Sequence, residues 1–504
     1  MNLFFKHKKK KAESKTSQSE APLSSLLEQL HKSKDYMQSK ATNQRTNVKF
    51  SIEYFSTLVN TSIIAEDILP YLLEGEFHTL ADLYNLVPTA QVFVTSDTAQ
   101  IENKILTGCI LIKIEGDDKK VALLPATAEV GRSIETLDIE YTIEGPRAAF
   151  VESIDQNINL IRTRIPVKEL VIEELIVGTF TKTRVAIIYL DGLTNIENID
   201  TMRQRIKEID MDQITDSHFI EETIVGNHNS PFPQLISTEN PAKVASDLVE
   251  GKVVVLVNGS PFALLGPTTI ISYFVSYEDY LNNWVLSTFI RLLRIIGVTF
   301  SILATPLYVA ILTYHPEIIP KDLMAPLVSS RETVPFPPIL EALFLEFSIE
   351  LLREAGARLP TKIGQTIGIV GGIVLGTAVV EAGLTSNVLL IFVALGALAA
   401  FTTPVYKITS TIRIIRFPFL LFAQLWGLLG IVFCICFFLT HLIQLTSLGR
   451  PYMEPIYPPR FNDLKDSIIK APFAKRYKRP GYLQTQQPIR FRPKDANKMR
   501  DIDE

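Results

Sequence analysis

Apolar positions are distributed unevenly along this chain. Up to about Tyr280 they come in short runs that alternate or recur at helical spacing, whereas beyond Trp284 they fuse into runs of membrane-spanning length, about 20 residues. From Ile363 to Leu384 there are 22 residues whose only charge is Glu381. Within that run Gly364, Gly368, Gly372 and Gly376 recur every fourth residue, which sets them on one slowly drifting stripe of a helix and predicts a face that another helix can approach closely.

Upstream, the pattern is that of a soluble α/β region of two subdomains. Residues 1–46 are polar and rich in Lys, Ser and Gln, and read as a disordered basic tail with a short helix over Leu23–Leu30. Subdomain 1 covers 47–147: Ile52, Phe55, Val59 and Ile63 have helical spacing, and Cys109–Ile114 and Val121–Leu124 flank a Gly116-Asp117-Asp118 turn as a hairpin. Subdomain 2 covers 148–283. It holds a buried-type strand at Val185–Leu190, a helix with Ile199, Met202 and Ile206 on one side, and a helix-strand-turn-strand run whose Asn258-Gly259 pair suits a type I′ turn.

A polytopic α-helical membrane domain follows over 284–447, and 448–504 reads as a basic cytoplasmic tail. Trp284, Arg291 and Arg294 precede an apolar run from Ile295 to Leu312 and suit a headgroup boundary with the soluble region inside. The helix Ile339–Glu354 gathers Glu346, Glu350, Arg353 and Glu354 in one arc of about 100°, with Glu341 on the apolar side. Three acids cannot face lipid cheaply, so this face lies at the interface, forms salt bridges between subunits or lines water. Val388–Phe401 and Phe417–Leu445 supply further apolar runs. The tail after Leu448 carries 13 Lys or Arg against 7 Asp or Glu, which places it on the inner side with the N-terminal region. Even parity then favours four full spans, with Ile339–Glu354 partial, interfacial or re-entrant. The drawback is that Lys407 and Arg413 face outward.

Charge and chemistry add exclusions. A net charge of -4 gives no global reason to expect nucleic acid. Cys109, Cys434 and Cys436 form neither a disulfide framework nor a zinc pattern. Gly251 and Gly259 near Lys252 lack the spacing of a phosphate loop, and His218, His228 and His315 are isolated. No nucleophile elbow or His-x-x-x-His pair occurs, so the chain reads as non-enzymatic, without cofactor or metal. The candidates for facing water in a pore are Glu346, Glu350, Gln365 and Glu381.

Six segments carry a family resemblance: GPRAAFVES at Gly145–Ser153, SPFPQ at Ser230–Gln234, DYLNNW followed by RLLR at Arg291–Arg294, RETVPFPP at Arg331–Pro338, LREAGARLPTKIGQTIGIVGGIVLG at Leu352–Gly376, and GRPYMEP at Gly449–Pro455. In these the sequence resembles the A subunit of the GerA-type nutrient germinant receptors of spore-forming bacteria. The resemblance implies a multi-pass protein of the spore inner membrane, in which the charge pattern above keeps both termini cytoplasmic. It also implies a transporter-like B subunit and a lipoprotein C subunit as partners, and assembly into a homo-oligomeric ion channel in membrane lipid. The alternative is a non-conducting scaffold that holds those subunits together.

Overall fold

The computed structural model describes residues 23–88, 91–116, 120–128, 145–359, 368, 371–472 and 475–491. The chain divides into two compact units, Met1–Ser133 with Asp155–Glu174, and Ile134–Ile154 with Leu175–Glu504.

The first unit is an antiparallel sheet with apolar packing on both faces. Helix α1 (Leu23–Leu30) leads into β1 (Tyr36–Thr42), and the strand order is β1-β2-β4-β5-β3, with β2 Lys49–Phe55, β3 Phe93–Thr95, β4 Cys109–Ile114 and β5 Val121–Pro125. Side chains alternate across a strand. Phe50, Ile52, Ile110 and Ile112 therefore meet Ile68, Leu72 and Leu83 on one face. Phe55, Leu111 and Leu123 meet Leu26, Leu30 and Ile105, the last on α2 (Thr98–Leu106), on the other. The expected helix at Leu23–Leu30 is α1, but order begins well upstream of residue 47, because β1 pairs with β2 from Tyr36↔Phe55 to Thr42↔Lys49. Helix α3 (Ile154–Arg164), expected in the second subdomain, supplies Arg162 to this unit. Arg162 and Asp35 are each 1% exposed and joined by Nε to Oδ2 at 2.6 Å and Nη2 to Oδ1 at 2.7 Å. The guanidinium also lies 4.0 Å above the Phe55 ring.

The soluble part of the second unit is another antiparallel sheet, order β6-β7-β9-β10-β8, with β6 Leu170–Val177, β7 Thr183–Leu190, β8 Ile236–Thr238, β9 Val253–Val257 and β10 Ala263–Gly266. Helix α4 (Ile196–Lys207) buries Ile199, Met202 and Ile206 as its spacing predicts, and α5 (Ser217–Ile224) adds Ile220 and Ile224 to the same layer. Helix α6 (Pro241–Glu250) is capped by Asn240, whose side chain accepts from Ala242 N, and closes on Gly251 in the left-handed region. The Asn258-Gly259 turn differs from expectation. Gly259 has φ +91, whereas Asn258 keeps an ordinary φ and its Oδ1 accepts from Ile154 N at 3.4 Å.

Helix α7 (Trp284–Tyr314) opens the bundle, followed by α8 (Pro338–Ala357), α9 (Gly371–Glu381), α10 (Asn387–Ala400) and α11 (Tyr406–Gln444). Helices α7 and α11 are long and apolar enough to cross a membrane, with mean hydropathy 2.2 and 2.3. Helix α11 is a helical hairpin, broken at Gly427 with φ 60 and ψ -136, a conformation only glycine adopts readily. Its arms, residues 406–426 and 428–444, are about 31 and 25 Å long at 1.5 Å per residue. Reading Phe417–Leu445 as one span is therefore corrected: the first arm begins before Phe417, recruiting the connection that carries Lys407, Arg413 and Arg416.

The described residues beyond Leu445, which end at 491, are docked on the second sheet domain. Leu448 enters the core beneath the second sheet. Arg450 reaches Glu197 at 2.8 Å and Asn198 at 2.9 Å, Gln486 N donates to Leu193 O at 2.9 Å, and Arg490 pairs with Glu250. Among the basic residues that mark a tail in the sequence, Arg450, Lys470, Arg479 and Arg490 are spent on this docking.

Candidate functional site

Helix α8 carries three carboxylates into the bundle, and each meets an arginine from elsewhere in the chain. Glu341 is fully buried. Its Oε1 accepts from Arg331 Nη2 at 2.8 Å, and its Oε2 from the backbone N–H of Ser386 at 3.1 Å. Ser386 caps α10, and its hydroxyl lies 3.0 Å from Tyr308 Oη on α7. At mid-bundle Glu346 pairs with Arg416, both side chains 5% exposed. Thr305 Oγ1 donates to Glu346 at 2.9 Å, and Arg416 Nη2 donates to Ser301 Oγ at 2.7 Å. Further along, Glu350 accepts from Arg413 Nη1 at 2.5 Å and lies 3.9 Å from Arg353. Paired buried charge survives in a low-dielectric interior where a lone one is prohibitive.

Of the three roles expected for the acidic face of Ile339–Glu354, the structure shows salt bridges, made within one chain. The helix runs unbroken from Pro338 to Ala357, and its inner acids are neutralised within the chain. Local periodicity could not reveal it, because the partners lie 10, 70 and 63 residues away.

A second constellation joins the sheet domain to the bundle inside the same unit. Asp279, 2% exposed, receives Arg291 Nε at 3.2 Å and Arg294 Nη1 at 2.8 Å from the first turns of α7. Arg291 is itself 1% exposed, so it is a joint residue and not a headgroup contact. The Ser230–Gln234 loop sits on both arms of α11. Thr411 Oγ1 donates to Pro231 O at 2.6 Å on one arm; on the other, Ser230 Oγ is 2.8 Å from His441 Nε2 and the Phe232 ring is 6.0 Å from that imidazole. Tyr273 and Tyr452 both donate to Pro233 O, at 2.8 and 2.7 Å. Glu221 on α5 pairs with Lys407.

The remaining sequence candidates fall elsewhere. Gly364 and Gln365 lie outside the described residues. Gly368, Gly372 and Gly376 face open space, with nothing within 4 Å of an added Cβ, so among the described residues no helix packs on these three glycines. Glycines that do admit close neighbours are Gly371, beside Leu352, and Gly297, where a Cβ would lie 2.9 Å from Thr402 Oγ1 and 3.4 Å from Ala399 O. Glu381 is exposed and has no ion-pair or hydrogen-bond partner among the described residues. Arg413, Arg416, Asp279 and His441 are the contributors that sequence reasoning missed as site residues. The only signal for the arginines was a basic connection inside an otherwise apolar stretch.

The fold and the site thus define a subunit in which a sheet domain is keyed by buried polar contacts into a bundle of apolar helices. The chain belongs to the GerA spore germination protein family of Bacillus and Clostridium, whose profile matches residues 24–482. It is 46% identical over 476 residues to the spore germination protein GerQA of Bacillus cereus, covering 94% of this chain and 95% of that one. It is 45% identical over 450 residues to GerIA of the same organism, covering 89% of this chain and 67% of that one. Among solved structures, the N-terminal domain of the A subunit of the Bacillus megaterium spore germinant receptor GerK3 matches 49% of this chain and 92% of its own length, at 23% identity and a TM-score of 0.36.

Proposed function

We propose that this chain is the membrane A subunit of a nutrient germinant receptor, embedded in the spore inner membrane beside a transporter-like B subunit and a lipoprotein C subunit. In this reading copies of the chain assemble around an ion path that opens when nutrient is sensed. The bundle crosses the membrane six times, through α7, α8, the segment containing α9, α10 and the two arms of α11. Even parity keeps both termini cytoplasmic, and the hairpin returns Lys407 and Arg413 to the inner side, which four spans could not do.

The observation that carries the channel is the contrast among carboxylates. Glu341, Glu346 and Glu350 are held by arginines, whereas Glu381 is exposed on a helix whose Gly372 and Gly376 have no described neighbour. A carboxylate on such a face is costly against lipid and useful against water between subunits. Glu346 and Glu350 are thus brace residues, and Glu381 is the pore candidate. The neutralised acids favour the scaffold reading to this extent, that Glu341, Glu346 and Glu350, the acids of α8 that face its neighbours, are paired and not free to line a path. Ion flux from reconstituted wild-type oligomers separates the two: a channel conducts and its selectivity changes in Glu381→Gln, whereas a scaffold conducts nothing.

A further inference from the structure

A cavity of about 210 Å³ opens between α6, the segment joining β10 to α7, and the C-terminal chain beyond Asp463. One water needs about 10–15 Å³, and drug-sized ligands occupy about 300–1,000 Å³, so the space suits a small polar group. Six Lys or Arg and four Asp or Glu line it. Three of the acids are engaged: Asp247 holds Lys252 at 3.0 Å, Glu250 holds Arg490, and Asp463 accepts from Gly481 N at 2.8 Å.

Donors are left over. Arg476 Nε–H, on a side chain only 9% exposed, forms an ion pair with Asp466 Oδ1 at 2.9 Å, but the two buried atoms make no hydrogen bond with each other or with another group. Arg490 Nε–H is likewise buried and unpartnered. Tyr280 stacks under the Arg476 guanidinium at 4.7 Å and holds it in place. At the mouth Lys475 and Lys478 are exposed, with no carboxylate partner among the described residues. An unmade bond to a buried charged donor is expensive, and what Arg490 Nε–H lacks is an acceptor.

We propose that this cavity binds a phosphate group, contacted by Arg476 and Arg490 within and by Lys475 and Lys478 at the mouth. A divalent oxyanion offsets the surplus of basic over acidic lining residues and accepts from several directions at once. Its place gives it a consequence. The segment that forms one wall carries Asp279, the anchor of Arg291 and Arg294, so an occupied site ties the C-terminal chain to the root of α7. The phosphate can be free or can belong to a lipid headgroup. The proposal is independent of whether the chain conducts ions.

The test uses the full chain in a neutral, phosphate-free detergent, with two probes: radiolabelled inorganic phosphate in equilibrium dialysis, and dihexanoyl phosphatidylglycerol followed by its ³¹P linewidth. One equivalent per chain is expected for at least one probe. Arg476→Gln should weaken it at least tenfold, and so should the double variant Lys475→Gln with Lys478→Gln, whose exposed side chains are not needed for folding. Lys207→Gln, on α4, should leave it unchanged. Binding of inorganic phosphate identifies a free anion, and binding of the lipid alone identifies a headgroup. Absence of binding by both probes, or equal binding by all variants, overturns the proposal.

Discussion

The rings of Phe419 and Phe438 stack with centroids 5.7 Å apart and planes 10° from parallel. In a continuous helix residues this far apart in sequence would be separated by about 28 Å. Their contact makes α11 a hairpin, and Tyr314 fastens its tip by donating to Gln424 O at 2.7 Å and Leu425 O at 3.2 Å. The tip is therefore level with the end of α7 that lies away from the Asp279 joint. With the three natural cysteines replaced, Leu428→Cys should react with an impermeant thiol reagent from outside, whereas Pro480→Cys and Tyr406→Cys should react only after permeabilisation. Outside labelling of Pro480→Cys would overturn the six-crossing topology.

Glu346 and Arg416 hold α8 to the first arm of that hairpin. Removing one member of a buried pair strands the other charge, at about 3–5 kcal/mol. Glu346→Ala and Arg416→Ala should each lower the unfolding midpoint of the detergent-solubilised protein. Glu346→Leu with Arg416→Leu should recover most of the loss, because no charge is then left behind. A double variant less stable than either single one would mean that the pair is not the brace inferred here.

What was legible in the sequence and what was not divides by range. Periodicity within an element placed Ile199, Met202 and Ile206 on the buried face of α4 and placed the β4–β5 hairpin correctly. It failed where the answer lay in distant partners. Residues 36–42 look like polar tail, MQSKAT after Tyr36, and become a strand because β2 offers an edge. The acids of α8 look unaffordable until Arg331, Arg413 and Arg416 are beside them. Gly427 was overlooked because a single glycine in a long apolar run is ordinary, and only its positive φ marks the turn. The glycine stripe was recognised as a pattern, yet a pattern does not name its partner.

Asp35 makes the stability of the first unit depend on pH. Burial pushes its carboxyl up, but the Arg162 charge and hydrogen bonds from Arg162, Ser33 and Thr57 outweigh it and hold it below the usual range. The folded carboxyl thus binds a proton less readily than the unfolded one, whose value is about 3.9. Its contribution is present in full above that value and is lost as pH falls through the folded value. Amides of β1 should lose hydrogen-exchange protection over that acid range. Asp35→Asn should lose it already at neutral pH, by about 3–5 kcal/mol, because Arg162 is then buried without its counter-charge. Equal protection in the variant and the wild type at pH 7 would remove the pair from the stability of this unit.

The glycines supply a way to tell folding from assembly. At Gly297 the neighbours of an added side chain are Thr402 and the carbonyl of Ala399, so Gly297→Leu forces α7 and α10 apart. Overpacking of that kind costs about 1–3 kcal/mol and should lower the unfolding midpoint of the monomer. A Cβ at Gly372 meets nothing among the described residues, and Gly372→Leu should leave that midpoint unchanged. Its face is bare, so any effect must come from a second molecule approaching it. Light scattering of the detergent-solubilised protein should then show fewer oligomers for Gly372→Leu and an unaltered distribution for Ile373→Leu, on a different face of α9. If Gly372→Leu destabilises the monomer as much as Gly297→Leu does, the stripe packs within the chain and is not an assembly surface.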